Sequence, residues 1–405
     1  MSTVNKSHLI AGFFRYHREK LNYSLRGLVS NGSVVELSSL SDFEHGKRQL
    51  HEDQLVYLFK LIGYDYYEVI NAYDFERDYQ EIIEHIILGE TEAAENKFYY
   101  CCEKGVFNSL GTLNFSIIEY FFLVLDEKIT GEDFLAYKLT HLMNNDQVAI
   151  LRVTYSIYKI NQGLFNDSIE ILNDVEKNTY NAKIQAWIKY LISRPYVLSG
   201  NYVEATISLI ESKRRYGEII GIIRMIQSNL SLGTVYSLTN SYAKAEESYL
   251  IAYERALMLK ESTGLLTKCF NSLCWLYFET NEYDKVRDLL DNKPDELVES
   301  RNTYYILAWA NYKLGNVEES IKYCEAGLDK FKEYSYVCMI YEYIKKACKG
   351  IKTGQDTLLK KIIETEDYDH DKLTERLFTL ELINIYERRK NYEKAFKYAK
   401  KLLNR

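Results

Sequence analysis

Leu232-Gly233-Thr234-Val235-Tyr236, followed by Asn240-Ser241-Tyr242 and then by Ala245, Tyr249 and Ala252, is the stretch that decides the fold. Apolar and small residues recur here at helical spacing on both sides of a polar break, so the stretch predicts two antiparallel helices joined by a short turn. Gly233, Ala245 and Ala252 are small enough to let the helices approach, while Tyr236 and Tyr249 fill the space between neighbouring hairpins. Weaker copies flank it. Downstream come Leu273 and Tyr277 with the turn Asn281-Glu282-Tyr283, then Leu307 with Gly315-Asn316 and Ser320, and last Leu382 and Tyr386 with Asn391-Tyr392 and Ala395. Upstream stand Gly200-Asn201-Tyr202 with Ala205, Gly163-Leu164-Phe165, and Gly89 with Ala94 and Phe98. Turns near Gly131 and Gly354 complete the series.

Successive turns fall about 35 to 42 residues apart, near the 34-residue period of tetratricopeptide repeats, whose Leu-Gly, Tyr, turn, Ala, aromatic, Ala order the central copy resembles. The expected fold is therefore all-α. Residues 71–405 form about nine helical hairpins curling into a right-handed superhelix with a concave inner surface.

Composition agrees. Only two prolines occur, Pro195 and Pro294, among 405 residues that are 47% hydrophobic and 27% charged. The 37 tyrosines read as packing groups whose hydroxyls reach water. A net charge of -7 excludes a wholly basic nucleic-acid coat but leaves room for a local basic patch. The seven cysteines include no C-x-x-C and no metal-type spacing, so reduced buried thiols are expected and no metal or other cofactor. No segment is apolar for the length of a membrane span, and no cleavable leader is legible, so a cytoplasmic protein is expected. No phosphate-binding loop, nucleophile elbow or H-E-x-x-H motif occurs, and the seven histidines are scattered, which argues against an enzyme.

Residues 1–70 read differently. Helices are predicted over Lys6 to Lys20, Leu25 to Ser30 with Ser24 as N-cap, Glu36 to Glu44, and His51 to Ile62. Asn31-Gly32 breaks the second, His45-Gly46 offers the third a left-handed end, and Gly63 closes the fourth. Short helices joined by a tight turn are the helix-turn-helix plan. Phe14-Arg15-Tyr16-His17-Arg18-Glu19-Lys20-Leu21-Asn22-Tyr23-Ser24 resembles the opening of Xre/Cro-type domains, and Ser39-Leu40-Ser41-Asp42-Phe43-Glu44-His45-Gly46 resembles a segment of the Rgg, MutR and PlcR regulators. Leu25 stands where those domains usually carry Gln. Seven Lys or Arg face four acids in residues 1–50. Arg15, Arg18, Arg26, Lys47 and Arg48 are the expected phosphate contacts on double-stranded DNA. The presumed recognition helix offers Ser38, Ser39 and Ser41 beside Glu36 and Asp42, with no Arg, Asn or Gln for a bidentate base contact. Glu44 is expected to pair with an arginine inside the bundle.

Together the two parts resemble the RRNPP group of peptide-pheromone regulators, Rgg, PlcR, PrgX, NprR and their Rap relatives. That resemblance implies a quorum-sensing transcription regulator, a homodimer whose hold on DNA changes when a short signalling peptide enters the concave groove. The alternative it leaves open is a Rap-like or NprR-like protein that captures a response regulator or another protein, with DNA binding secondary. Projecting the inner face of each first helix gives the candidate peptide contacts Tyr190, Arg194, Arg224, Gln227, Asn229, Ser231, Lys268, Asn271, Trp275, Asn302, Tyr305 and Trp309. Amide side chains there could pair with an extended peptide backbone, and Arg or Lys could hold its carboxylate.

Overall fold

The computed structural model describes residues 6–29, 33–128, 135–259, 263–295, 297, 301–365 and 372–403. These residues form 23 α-helices and two 3-10 helices, with no β-strand among them. The predicted break at Asn31-Gly32, the end of the second helix at Ser30 and the turn at Gly131 lie outside the described residues. The chain divides into two compact units, residues 1–224 and 225–405.

The first unit opens with α1 (Lys6–Lys20), α2 (Leu25–Leu28), α3 (Leu37–Glu44), α4 (Glu52–Leu61) and α5 (Tyr66–Ile70). The Ser24 hydroxyl accepts the Gly27 amide at 3.0 Å, satisfying one of the free donors at the start of α2. Gly46, at φ +68°, ends α3, and the Lys47 amide turns back to the Asp42 carbonyl at 2.9 Å. Phe13, Phe14, Leu40, Phe43, Leu58 and Phe59 fill the centre of this bundle. The same core continues into Leu113, Leu139 and Leu142 of the array that follows. At the junction α1 approaches so closely that a Cβ on Gly12 would stand 2.5 Å from Leu113 Cδ1.

Nine hairpins succeed the bundle among the described residues. In the first unit, hairpin 1 pairs Glu76–Leu88 with Thr91–Glu103, and hairpin 2 pairs Thr112–Leu125 with the 3-10 helix Leu135–Leu142. Hairpin 3 pairs Asn145–Asn161 with Phe165–Asn178, and hairpin 4 pairs Ala182–Leu191 and Ser193–Leu198 with Tyr202–Glu218. The break in hairpin 4 falls where Pro195 has no N–H to offer the Leu191 carbonyl. Hairpin 5 pairs Ile222–Leu238, which begins in the first unit and continues in the second, with Tyr242–Met258. The second unit goes on through hairpin 6 (Thr263–Glu279, Tyr283–Asp291), hairpin 7 (Arg301–Lys313, Val317–Lys330), hairpin 8 (Ser335–Cys348, Gln355–Glu364) and hairpin 9 (Lys372–Arg388, Tyr392–Leu403).

The turns follow one plan. Gly89, Gly163, Gly200, Asn240, Asn281 and Gly315 all take positive φ, as glycine and asparagine do most readily. In hairpin 9 the positive φ falls on Lys390, one residue before the expected Asn391, which instead accepts the Lys394 amide at 3.2 Å. Close packing behind the turns is as the small residues imply: a Cβ on Gly233 would stand 2.4 Å from the Tyr249 ring. One expectation is corrected. Several tyrosines are wholly buried and their hydroxyls are satisfied inside rather than by water, Tyr216 donating to the Ile87 carbonyl at 2.8 Å and Tyr341 to the Arg301 carbonyl at 2.9 Å.

Candidate functional site

The structure sorts the nine residues expected to meet DNA. Ser24, Arg26, Ser38, Lys47 and Arg48 are exposed, and Ser41 is half-buried. Arg18 is not a surface group. It lies buried, its Nε and Nη2 donating to the two carboxylate oxygens of Glu44 at 2.5 and 2.7 Å, with Nη1 on the Tyr23 carbonyl at 2.6 Å. Fork-to-fork pairing of this kind satisfies both charges where water cannot reach. Arg15 is half-buried beside it, donating to Glu19 at 2.9 Å and lying 3.2 Å from His141 Nε2. Ser39 is buried, its hydroxyl accepting from Arg48 Nη1 at 2.8 Å. Two of the five expected phosphate contacts, Arg15 and Arg18, therefore serve the inside of the bundle. A helical period places them correctly on α1 but does not tell which face the carboxylate of α3 will meet.

His17 explains the firmness of the junction. Its neutral ring donates from Nε2 toward the Phe107 carbonyl at 3.3 Å and accepts at Nδ1 from the Tyr64 hydroxyl at 2.8 Å. Burial lowers its pKa to about 4, so the ring stays uncharged. One imidazole thus ties α1 to the segment after α4 and to the loop before hairpin 2.

The twelve peptide candidates also separate. In the first unit Arg194 is exposed. Tyr190 is half-buried beneath the Arg224 guanidinium, 4.7 Å from its ring centre. Arg224 itself donates to the Ile87 carbonyl at 3.0 Å and the Ile86 carbonyl at 2.7 Å, at the free C-terminal end of Glu76–Leu88. In the second unit Lys268 is exposed, while Gln227, Ser231, Asn271 and Asn302 are half-buried. The Asn271 amide lies 3.4 Å from the Thr303 hydroxyl, while its carbonyl oxygen is buried with no hydrogen-bond partner among the described residues.

Four candidates are corrected. Asn229 is 1% exposed and its amide is committed to the Met225 carbonyl at 3.0 Å. Trp275, Tyr305 and Trp309 belong to the core of the second unit. Trp309 has no exposed surface and packs against Phe378 at 5.6 Å and Tyr343 at 5.9 Å between ring centres. The projection assumed an open inner face, but the first helix of hairpin 9 covers it in this unit.

That covering is fixed by a residue the sequence reading missed. Arg376 pairs with Glu279 at 2.7 Å and donates to the Ser237 carbonyl at 3.3 Å, the Tyr242 hydroxyl at 2.9 Å and Asn240 Oδ1 at 2.5 Å. The Ser237 hydroxyl donates to the other oxygen of Glu279 at 2.8 Å. Ser237, Tyr249, Trp275, Leu276, Glu279 and Leu377 enclose a cavity of about 10 Å³, room for one water. No signal local to Arg376 marks it, because Glu279 stands 97 positions away and its other partners more than 130.

A five-helix bundle sharing its core with a chain of helical hairpins defines an all-helical repeat protein. Its fold is similar to that of solved Rap, NprR and AimR structures. A Rap protein solved in complex with competence and sporulation factor matches with a TM-score of 0.55 at 12% identity, over 81% of this chain and 96% of that one. The apo form of the quorum sensor NprR from B. thuringiensis matches at 0.53 and 14% identity, over 82% and 98%. The structure of SeMet-phAimR matches at 0.52 and 12% identity, over 93% and 97%. No family model matches the sequence, and no curated protein does. No helix among the described residues is long and apolar enough to cross a membrane.

Proposed function

We propose that this chain is a peptide-responsive transcription regulator, with residues 1–70 meeting double-stranded DNA as part of a homodimer and the repeats of residues 71–405 taking a short signalling peptide in the cytoplasm. The observation that carries this reading is the shared core. Leu113, Leu139 and Leu142 of the array pack among Phe13, Phe14 and Leu40 of the bundle. A rearrangement of the first hairpins therefore moves α1 and α3 with them, since a packed core transmits displacement rather than absorbing it. The phAimR match adds support, because coverage of 93% leaves fewer residues outside it than the bundle contains. For the peptide, Arg194 and Lys268 are exposed cations suited to a carboxylate.

The test is fluorescence anisotropy of the full-length protein on DNA upstream of its own gene, with and without synthetic peptides from neighbouring short reading frames. Salt-sensitive binding that shifts with one peptide supports the reading, and indifference to all DNA at low salt defeats it. A second reading is favoured by the internal commitment of Arg15 and Arg18, which removes two cations from the DNA side. In that reading the array captures a response regulator or other protein. Co-purification of such a partner, unaffected by Lys47→Ala and Arg48→Ala, would favour it.

A further inference from the structure

We propose that the bundle identifies its DNA site through thymine methyl groups, with Leu37 as the specificity-determining residue and Ser38 and Ser41 as hydroxyl companions; the inference rests on the DNA-binding reading above. In a helix-turn-helix the base-edge contacts come from the N-terminal part of the second helix. In α3 those positions are Leu37 and Ser38, with Ser41 one turn on along the same face. Leu37 is 38% exposed, and Val34 just before the helix is 56% exposed.

Among the described residues, the side chains that normally read bases are absent from this face or engaged elsewhere. Guanine is read best by bidentate Arg or Lys, and adenine by Asn or Gln. Arg48 donates to Ser39, and Arg18 is held by Glu44. Gln54 accepts the His51 amide at 3.1 Å and donates to the Val34 carbonyl at 3.2 Å. Gln49 donates to the Ser7 hydroxyl at 3.3 Å. Glu36 and Asp42, both exposed, repel phosphate and so keep α3 off the backbone. Arg26 on α2 and Lys47 past α3 remain exposed for the phosphates. What α3 can offer a base edge is an apolar surface and two hydroxyls. Thymine alone among the four bases presents a methyl group in the major groove. Read this way, Leu37 recognises A·T pairs by the methyl side of the groove.

The experiment uses uracil, which pairs as thymine does and lacks only that methyl. The full-length protein selects duplexes from a random-sequence library, and the enriched pool is copied once with dTTP and once with dUTP. The thymine pool is expected to bind at least about fivefold more tightly. Leu37→Ala, a change at an exposed position outside the core, should weaken the thymine pool by a similar factor and bind the two pools alike. Equal binding of both pools by the unaltered protein overturns the inference and leaves DNA binding standing, as does an enriched motif without thymine at fixed positions. Failure to enrich any sequence, or to bind DNA at low salt, overturns the DNA-binding reading and this inference with it.

Discussion

Glu44 holds two guanidiniums, Arg18 by both oxygens and Arg15 at 3.9 Å. Removing it breaks the two-oxygen pairing of the buried Arg18, which keeps only Glu19 at 3.2 Å as a counter-ion and the Tyr23 carbonyl, a loss of up to about 3–5 kcal/mol. Glu44→Ala should therefore lower the urea midpoint steeply, and an unchanged midpoint would show that water reaches Arg18. His17 makes a prediction in pH. Its folded pKa, about 4, lies below the ordinary imidazole value, so the unfolded chain binds a proton that the folded one refuses. Stability from this group is complete above the unfolded pKa of about 6.5 and declines as pH falls toward 4, by roughly 3 kcal/mol in all. His17→Gln should flatten the pH dependence of urea unfolding between pH 7 and 4.5, and parallel curves for the two proteins would contradict it. At Gly233 the added methyl of alanine meets the carbons of the Tyr249 ring, not the end of a flexible side chain. Overpacking of that kind costs about 1–3 kcal/mol, so G233A should melt at a lower temperature than the parent.

Elements were legible wherever they are governed by neighbours in sequence. α1 runs over Lys6–Lys20 as its apolar spacing predicts, Ser24 caps α2, and the left-handed turn residues fall at Gly89, Gly163, Gly200, Asn240, Asn281 and Gly315. Hairpin 9 shows the limit of that rule: its turn forces Lys390 to φ +58°, a conformation in which a Cβ is strained. Lys390→Gly should stabilise the protein by roughly 0.5–1 kcal/mol, read as a higher urea midpoint, and a lower midpoint would mean that the lysine side chain does more than its backbone suggests. The candidate site was less legible for a physical reason. An inner-face position such as Trp309 has the same helical phase whether the face is open or covered. What covers it, Phe378, is supplied by a helix about two hairpins later. Likewise Glu44 on α3 pairs with an arginine inside the bundle as expected, but the phase of Arg18 on α1 does not tell that it is the one. Long-range partners decide exposure, and exposure decides which polar residues are available for binding.

Across the whole molecule two arginines do corresponding work, each within its own unit. Arg224, at the start of hairpin 5, grips the C-terminal carbonyls of the first helix of hairpin 1. Arg376, at the start of hairpin 9, grips the same end of the first helix of hairpin 5 through the Ser237 carbonyl and reaches Asn240 in the turn beyond. Arg376→Ala strands the largely buried Glu279 carboxylate and frees hairpin 9 from its distant partner. Hydrogen exchange of backbone amides in residues 372–403 should then quicken at least about tenfold, equivalent to ~1.4 kcal/mol, while those of residues 76–103 stay as they were. Protection unchanged in both regions would show that the aromatic packing of Phe378 suffices without the ion pair.

The two grips recur at a matching interval. Arg224 and Arg376 stand 152 positions apart, and the Ile86 and Ser237 carbonyls they reach stand 151 apart. Each joins one hairpin to the fourth hairpin after it. A single hairpin gained or lost between the two ends of a grip would carry its arginine away from the helix-end carbonyls it reaches now. Changes of length should therefore be tolerated better outside a grip than between its two ends.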